Sequence, residues 1–230
     1  MELSRRLAAV AASVPRGSVP ADIGTDHGLL PISLVESKIC PRAIATELNE
    51  GPFLAAKLAL EQSGLQAKIS LRRGDGLTPL RPGEAQVIVI AGMGGGTIRG
   101  ILARSKAILD LAGRLILQPM SDAGALRLWI CASGWKITDE SLVEEDGRVY
   151  PVIVAEPGLE PTRDPLRLEL GPRLLEKKDP LLGCYLEKIV AGYRRVLSGL
   201  VRSSSEEAGQ KAVLIEKKVA EIEKEVAKCR

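Results

Sequence analysis

The sequence predicts an α/β protein: a mostly parallel sheet wrapped by helices, followed by a helical hairpin. Three observations carry this reading. From residue 18 to about 157, short β-branched or apolar runs alternate with helical stretches, the pattern of a parallel sheet covered on both faces. Two longer extended runs then flank Glu145-Asp146-Gly147, and Asp-Gly between such runs signals a hairpin, so the sheet should end in an antiparallel pair. The pattern breaks around Pro157-Gly158 and Pro161 and gives way to heptads. The 230 residues thus divide into an expected sheet domain over 1–158 and a helical unit over 159–230.

Before the sheet, Leu3, Leu7, Val10 and Val14 recur at helical spacing, with Arg5 and Arg6 on another face. This stretch reads as a short amphipathic helix and not as a signal peptide, whose apolar region it barely reaches in length. The predicted strands are Val19–Gly24, Arg42–Glu47, Ile69–Arg72, Gln86–Ala91 and Arg114–Gln118. The helices between them are Leu30–Ser37, Pro52–Ser63, Thr97–Leu109 and Ala123–Ser133, and the hairpin strands are Lys136–Glu144 and Arg148–Glu156. In the C-terminal unit, Leu182, Leu186, Ile189, Tyr193, Val196 and Leu200 are spaced alternately by four and three residues, as are Ala208, Ala212, Ile215, Val219, Ile222 and Val226. Two such helices joined at Ser203-Ser204-Ser205 should form an antiparallel coiled coil, the second capped by Ser205 with Glu206 and Glu207 in its first turn. Heptads alone leave open whether this hairpin is a binding arm or a packing element.

Composition excludes several classes. A single histidine, His27, rules out multi-histidine metal sites and Cys2His2 fingers. Six aromatic residues are too few for a base-stacking platform of the RRM or OB kind. Cys40, Cys131, Cys184 and Cys229 form no C-x-x-C pair, which points to reduced thiols in a cytoplasmic protein without a metal centre. No apolar run is long enough to span a membrane. The net charge of +3 is unevenly distributed: residues 1–157 carry 17 basic and 17 acidic side chains, residues 158–230 carry 15 and 12. A neutral body with a weakly basic appendage suits a polyanionic partner or a solvated helical face.

In open parallel sheets ligands bind beyond the carboxyl ends of the strands, so the residues after each strand are the candidates. After the first come Asp22, Gly24, Thr25, Asp26 and His27, in place of the G-x-G-x-x-G that cradles a pyrophosphate. Acidic side chains there suit a cationic ligand such as a sulfonium; they also serve as acceptors for turn and cap amides. Glu47 ends the second strand, where an acid accepts the ribose hydroxyls of an adenosine cofactor. Asp75, between Gly74 and Gly76, is placed to reach an exocyclic amine, or forms a plain turn. Ala91, Gly92, Met93 and Gly94 open a glycine run after the fourth strand, with no Walker A lysine behind it. Gln118 ends the fifth strand, able to bond an acceptor base or to cap the next helix. These signals fall after strands one to five in the order of a class I (Rossmann-like) S-adenosylmethionine-dependent methyltransferase. An NAD-linked oxidoreductase, supported only by Glu47 and the alternating pattern, and a non-catalytic coiled-coil adaptor are the competing readings.

The stretches ADIGTDHGLLP (21–31), GPF (51–53), GDGL (74–77), VIAGMGG (89–95), LILQP (115–119) and VAEPG (154–158) closely resemble the bacterial tRNA (adenine-N1)-methyltransferases that modify position 22 in the D-arm. The resemblance implies S-adenosyl-L-methionine as cofactor, tRNA as substrate and N1 of an adenine as acceptor. It implies that Gly24, Thr25, Asp26 and His27 surround the methionine moiety, Glu47 the ribose, and Asp75 with Gly76 the adenine, with Asp22 and Leu48 completing the cofactor set. Ala91 to Gly94 would line the methyl-transfer pocket, and Asp26, Gly92, Met93 and Gln118 are the candidate catalytic residues. Transfer to a free ring-nitrogen lone pair needs positioning more than a base, and a carboxylate or carbonyls to offset the charge that develops. His27 is then a structural hydrogen-bonder or a proton carrier. A target in a duplex arm must flip out, and phosphate contacts would dominate affinity. Two positions depart from the family: Leu29, where it has Tyr, and Met120, where it commonly has Asn. Both bear on placement of the base. The oligomeric state is left open.

Overall fold

The computed structural model describes residues 2–200 and 205–229. The first helix is α1 (Arg5–Ala12), capped by the Ser4 side chain, which accepts from the Leu7 amide. Then β1 (Pro20–Ile23), α2 (Leu29–Glu36), β2 (Ala43–Glu47), α3 (Glu50–Ser63) and β3 (Ile69–Arg73) alternate. β4 (Val87–Met93), α4 (Gly95–Ala103), α5 (Lys106–Leu109), β5 (Arg114–Pro119) and α6 (Ala123–Ala132) continue the pattern. β6 (Trp135–Glu145) and β7 (Arg148–Pro157) close the sheet as a hairpin. Its turn residues, Asp146 and Gly147, both have positive φ, as a type I′ turn requires.

The seven strands lie in the order β3-β2-β1-β4-β5-β7-β6. The first five are parallel, and β7 runs antiparallel to both β5 and β6. Because side chains alternate along a strand, Val87 and Val89 pack with α1 and α2, whereas Ile88 and Ile90 pack with α4 and α6. Helices therefore cover both faces, and all four central β-branched residues are fully buried. The order reverses between β1 and β4, which opens the crevice beyond their carboxyl ends.

Ahead of the hairpin, two details differ from the sequence-based expectation. The helix expected over Thr97–Leu109 is broken. α4 starts inside the glycine run, and Ser105, whose hydroxyl bonds back to the Ile101 carbonyl (2.9 Å), leaves helical geometry before α5 begins. Gly95 and Gly96 are thus helical. A pair of short helices, α7 (Pro165–Leu170) and α8 (Pro172–Lys177), also precedes the hairpin, each with proline in its first turn.

The hairpin itself is α9 (Leu182–Leu200) and α10 (Glu206–Ala227), the latter capped by Ser205, whose hydroxyl accepts from the Ala208 amide. The helices run antiparallel, with Arg194 bridging to Glu223 and Gly183 facing Cys229. The seam departs from strict heptads. Tyr185 and Val190 are buried alongside Leu182 and Leu186, and Val196 is exposed, because α9 packs against both α10 and the Leu142 and Val149 side chains of the β6–β7 hairpin. A helix with two partners needs a broader apolar stripe than a two-stranded seam. The turn expected at Ser203 and Ser204 lies outside the described residues. Leu168 of α7 joins the main sheet core, and the Arg127–Glu140 pair (2.6 Å) lies fully buried beneath α7 and α8. Arg127 also donates to the Glu169 carbonyl (2.8 Å) and the Tyr185 hydroxyl (3.2 Å), fastening the helices to the sheet.

Candidate active site

A cavity of about 450 Å³ lies at the carboxyl ends of β1, β2 and β4. Its lining brings together Asp22, Gly24, Thr25, Asp26, His27, Glu47, Leu48, Asp75, Gly76, Ala91, Gly92 and Met93, residues up to 71 positions apart that were expected to meet. Leu29, at the first turn of α2, also faces it.

The turn after β1 is built around Gly24, whose φ is +70°. A Cβ there would lie 2.2 Å from the Met93 methyl group, so glycine both permits the turn and leaves room for Met93 at the cavity floor. The Gly24 and Thr25 amides both donate to the Thr46 carbonyl (2.9 Å), stapling the turn to β2. Asp26 follows at φ +56°, a left-handed conformation that Asp tolerates better than most residues. It carries its carboxylate into the open side of the cavity, beside the exposed His27 ring at 3.7 Å.

Two carboxylates are buried, each 6% exposed. Glu47 accepts from the Asp26 amide (3.2 Å) through one oxygen and from the Asn49 amide (2.9 Å) through the other. It therefore ties the β1 turn to the end of β2, and each oxygen keeps a lone pair for a further donor. Asp22 accepts one bond, from the Thr25 hydroxyl (2.6 Å). Burial pushes the Asp22 carboxyl up to about 6; the Thr25 bond opposes this and the nearby Glu47 carboxylate adds to it. Asp75 is half exposed at the rim, paired with Arg104 (3.3 Å). Four carboxylates on one cavity repel a pyrophosphate and attract a cation, and Leu48, 53% exposed, offers an apolar face beside them. This lining fits a cofactor with an adenosine and a cationic methionine end.

The fourth-strand end is held by a network that the sequence did not reveal. Gln118 is completely buried and does not reach the cavity. Its carbonyl oxygen accepts from the Gly92 amide (3.0 Å) and from Arg6 (2.8 Å), and its amide nitrogen donates to the Pro119 carbonyl (3.1 Å). With these partners it does not cap α6; it fixes the bulged backbone between Ala91 and Met93. Gly94 likewise lies off the cavity, at the start of α4. Arg6 does line it, held by Glu145 through two bonds of 3.1 Å and placed 5.9 Å from the Tyr150 ring centre. The apolar periodicity of α1 placed Arg6 off the packed face, but nothing in sequence linked it to a strand end 112 residues away. Met120, the second departure from the family pattern, points out of this cavity into a neighbouring cleft.

Among the described residues, no group of three His, Cys, Asp or Glu side chains could hold a metal ion, all four cysteines are free, and no helix is long and apolar enough to cross a membrane.

Comparison with known proteins agrees with this geometry. Residues 3–153 match the methyltransferase domain family model. The tRNA (adenine(22)-N(1))-methyltransferase of Bacillus subtilis is 48% identical over 158 residues, 69% of this chain and 66% of that protein, so the aligned part spans just under two thirds of the relative's length. The crystal structure of the B. subtilis M1A22 tRNA methyltransferase superposes with a TM-score of 0.91 at 35% identity, covering 98% of this chain and 99% of the other. Sp1610 of Streptococcus pneumoniae, described as a putative tRNA (m1A22) methyltransferase and solved with S-adenosyl-L-methionine, gives 0.86 at 32% identity over 98% and 100%. Matched along its catalytic body in sequence and along nearly its whole length in structure, the chain belongs to the methyltransferase domain family and, within it, to the bacterial tRNA (adenine-N1)-methyltransferases.

Proposed function

We propose that the protein transfers a methyl group from S-adenosylmethionine to N1 of an adenine in tRNA, the adenine at position 22 of the D-arm. The observation that carries this is the gathering of Asp22, Asp26, Glu47 and Asp75 around one cavity at the β1–β4 crevice, beside the bulged glycine segment of β4. That lining opposes a dinucleotide pyrophosphate, and a non-catalytic adaptor would have no use for it.

Bound there, the cofactor supplies an electrophilic methyl group on a sulfonium. Glu47 is placed to accept from the ribose hydroxyls, Asp75 from the adenine amine, and Asp22 with Asp26 to neutralise the cationic methionine end. Leu48 covers the adenine face. The Gly92–Met93 segment, fixed by Gln118, sets the wall against which the target adenine is held. The N1 lone pair attacks the methyl carbon as the carbon–sulfur bond breaks, so the sulfur leaves neutral and the adenine becomes cationic. No proton moves in this step, and the protein's contribution is alignment and charge. Asp26 stabilises the developing positive charge, and Arg6 is held at the cavity wall by Glu145 and Gln118.

The helical unit over 159–230 is the part we assign to tRNA binding, and the cytoplasm is the compartment where that substrate is met. Incubating the protein with unmodified tRNA and labelled S-adenosylmethionine, then mapping the modified nucleosides, tests the reading. 1-Methyladenosine at position 22 is expected; no incorporation, or label in another nucleoside, refutes it.

A further inference from the structure

A second cleft, of about 810 Å³, lies between the segment after β5, the start of β7 and the inner face of α9. It shares a wall with the methyl-transfer cavity. The Met120 amide donates to the Met93 carbonyl (2.8 Å), and the Tyr150 ring has Arg6 5.9 Å away on the cavity side and Lys188 at 5.9 Å from α9. All three tyrosines of this aromatic-poor chain line the cleft. Met120, Leu128 and Val196 project apolar side chains into it and are 41%, 37% and 47% exposed.

Its charges point to one kind of occupant. Arg148 and Lys188 are exposed at its edge and have no ion-pair partner among the described residues. The acids in the cleft are already engaged: Glu169 is bonded by Tyr193 and by Lys218 (2.6 Å), and Asp122 by the Ser121 hydroxyl (2.9 Å). Unpaired cations above an apolar and aromatic floor match a polymer that alternates phosphates with flat, weakly hydrated rings.

We propose that this cleft seats the RNA strand adjoining the methylated adenine, with Arg148 and Lys188 on phosphates and the Met120–Leu128–Val196 wall against an unstacked nucleotide. The inference rests on the tRNA methyltransferase reading and deepens it. It places strand recognition at the junction of sheet and hairpin and not along the outer hairpin faces.

The test compares full-length Arg148→Glu/Lys188→Glu with the unmodified protein on an unmodified tRNA transcript. A control variant, Arg42→Glu/Lys57→Glu, makes the same charge change away from the cleft. The cleft variant is expected to raise KM for tRNA at least tenfold and to leave kcat within twofold and S-adenosylhomocysteine affinity unchanged. The salt dependence of tRNA binding should become shallower by about 1.5 in log–log slope, two phosphate contacts fewer. An unchanged KM, or an equal rise in the control variant, overturns the proposal. An unchanged KM together with altered self-association would assign the cleft to a second copy of the chain instead. Failure of the unmodified protein to methylate tRNA would refute the functional reading itself, whereas normal turnover with an insensitive cleft variant refutes only this inference.

Discussion

Replacing Asp22 by asparagine should stabilise the protein and weaken its cofactor site, for one electrostatic reason. Asp22 is buried with a single hydrogen bond, and its carboxyl is pushed up from 3.8 to about 6. A carboxyl whose pKa is higher in the folded than in the unfolded state makes folding less favourable as pH rises between the two values. Each unit corresponds to 1.36 kcal/mol, so at pH 7 the ionised side chain costs about 3 kcal/mol. Asparagine has the shape of the neutral acid and can still accept from Thr25. Denaturant unfolding across pH should therefore show the variant pulling ahead of the unmodified protein as pH rises from about 4, with the full gap reached above about 6. A cationic ligand that returns Asp22 to its ordinary range recovers the same energy, so S-adenosylmethionine affinity at neutral pH should fall by up to about 100-fold in the variant. For the unmodified protein, affinity should decline as pH drops below about 6. A stability difference independent of pH, or unaltered cofactor affinity in a folded variant, would refute the reasoning.

Three further outcomes are expected. Glu47→Ala removes both a ribose acceptor and the clasp on the Asp26 and Asn49 amides; calorimetry with S-adenosylhomocysteine should show at least a tenfold loss, and an unchanged affinity would remove the ribose assignment. Gln118→Ala strands the Gly92 amide and frees Arg6, so kcat should drop about tenfold or more, with cofactor affinity and KM for tRNA little changed; a pure KM effect would contradict its role in holding the β4 segment. Glu140→Ala leaves Arg127 charged and buried without its carboxylate, which should lower unfolding stability by about 3–5 kcal/mol; a loss under 1 kcal/mol would show that the pair does not fasten the helices to the sheet.

The legible part of the site was the part made of residues next to strand ends. In a parallel sheet all such ends lie on one rim, so Asp22, Glu47, Asp75 and Gly92 could be placed together without coordinates. Gln118 was misread for the same reason: its position after β5 was right, but the direction of its side chain is set by the Gly92 amide and the Arg6 guanidinium, one on a neighbouring strand and the other on α1. Gly94 was misread because the helix starts earlier than the glycine run suggested, which moves it from loop to cap.

The hairpin shows the same division. Heptad spacing was enough to establish two antiparallel helices, since an apolar stripe must be buried somewhere. It could not show that α9 turns Tyr185 and Val190 inward as well, because that depends on the β6–β7 surface it packs against. By itself the sequence determined the sheet, the order of acidic and glycine positions along its rim, and the helical appendage, all of which follow from local periodicity and from short motifs beside strand ends. Only the tertiary structure decided that Arg6 enters the site, that Arg127 and Glu140 join sheet to helices, and that three scattered tyrosines line one cleft. Those are contacts between side chains far apart in the chain, fixed by packing geometry and desolvation, which leave no periodic trace in sequence.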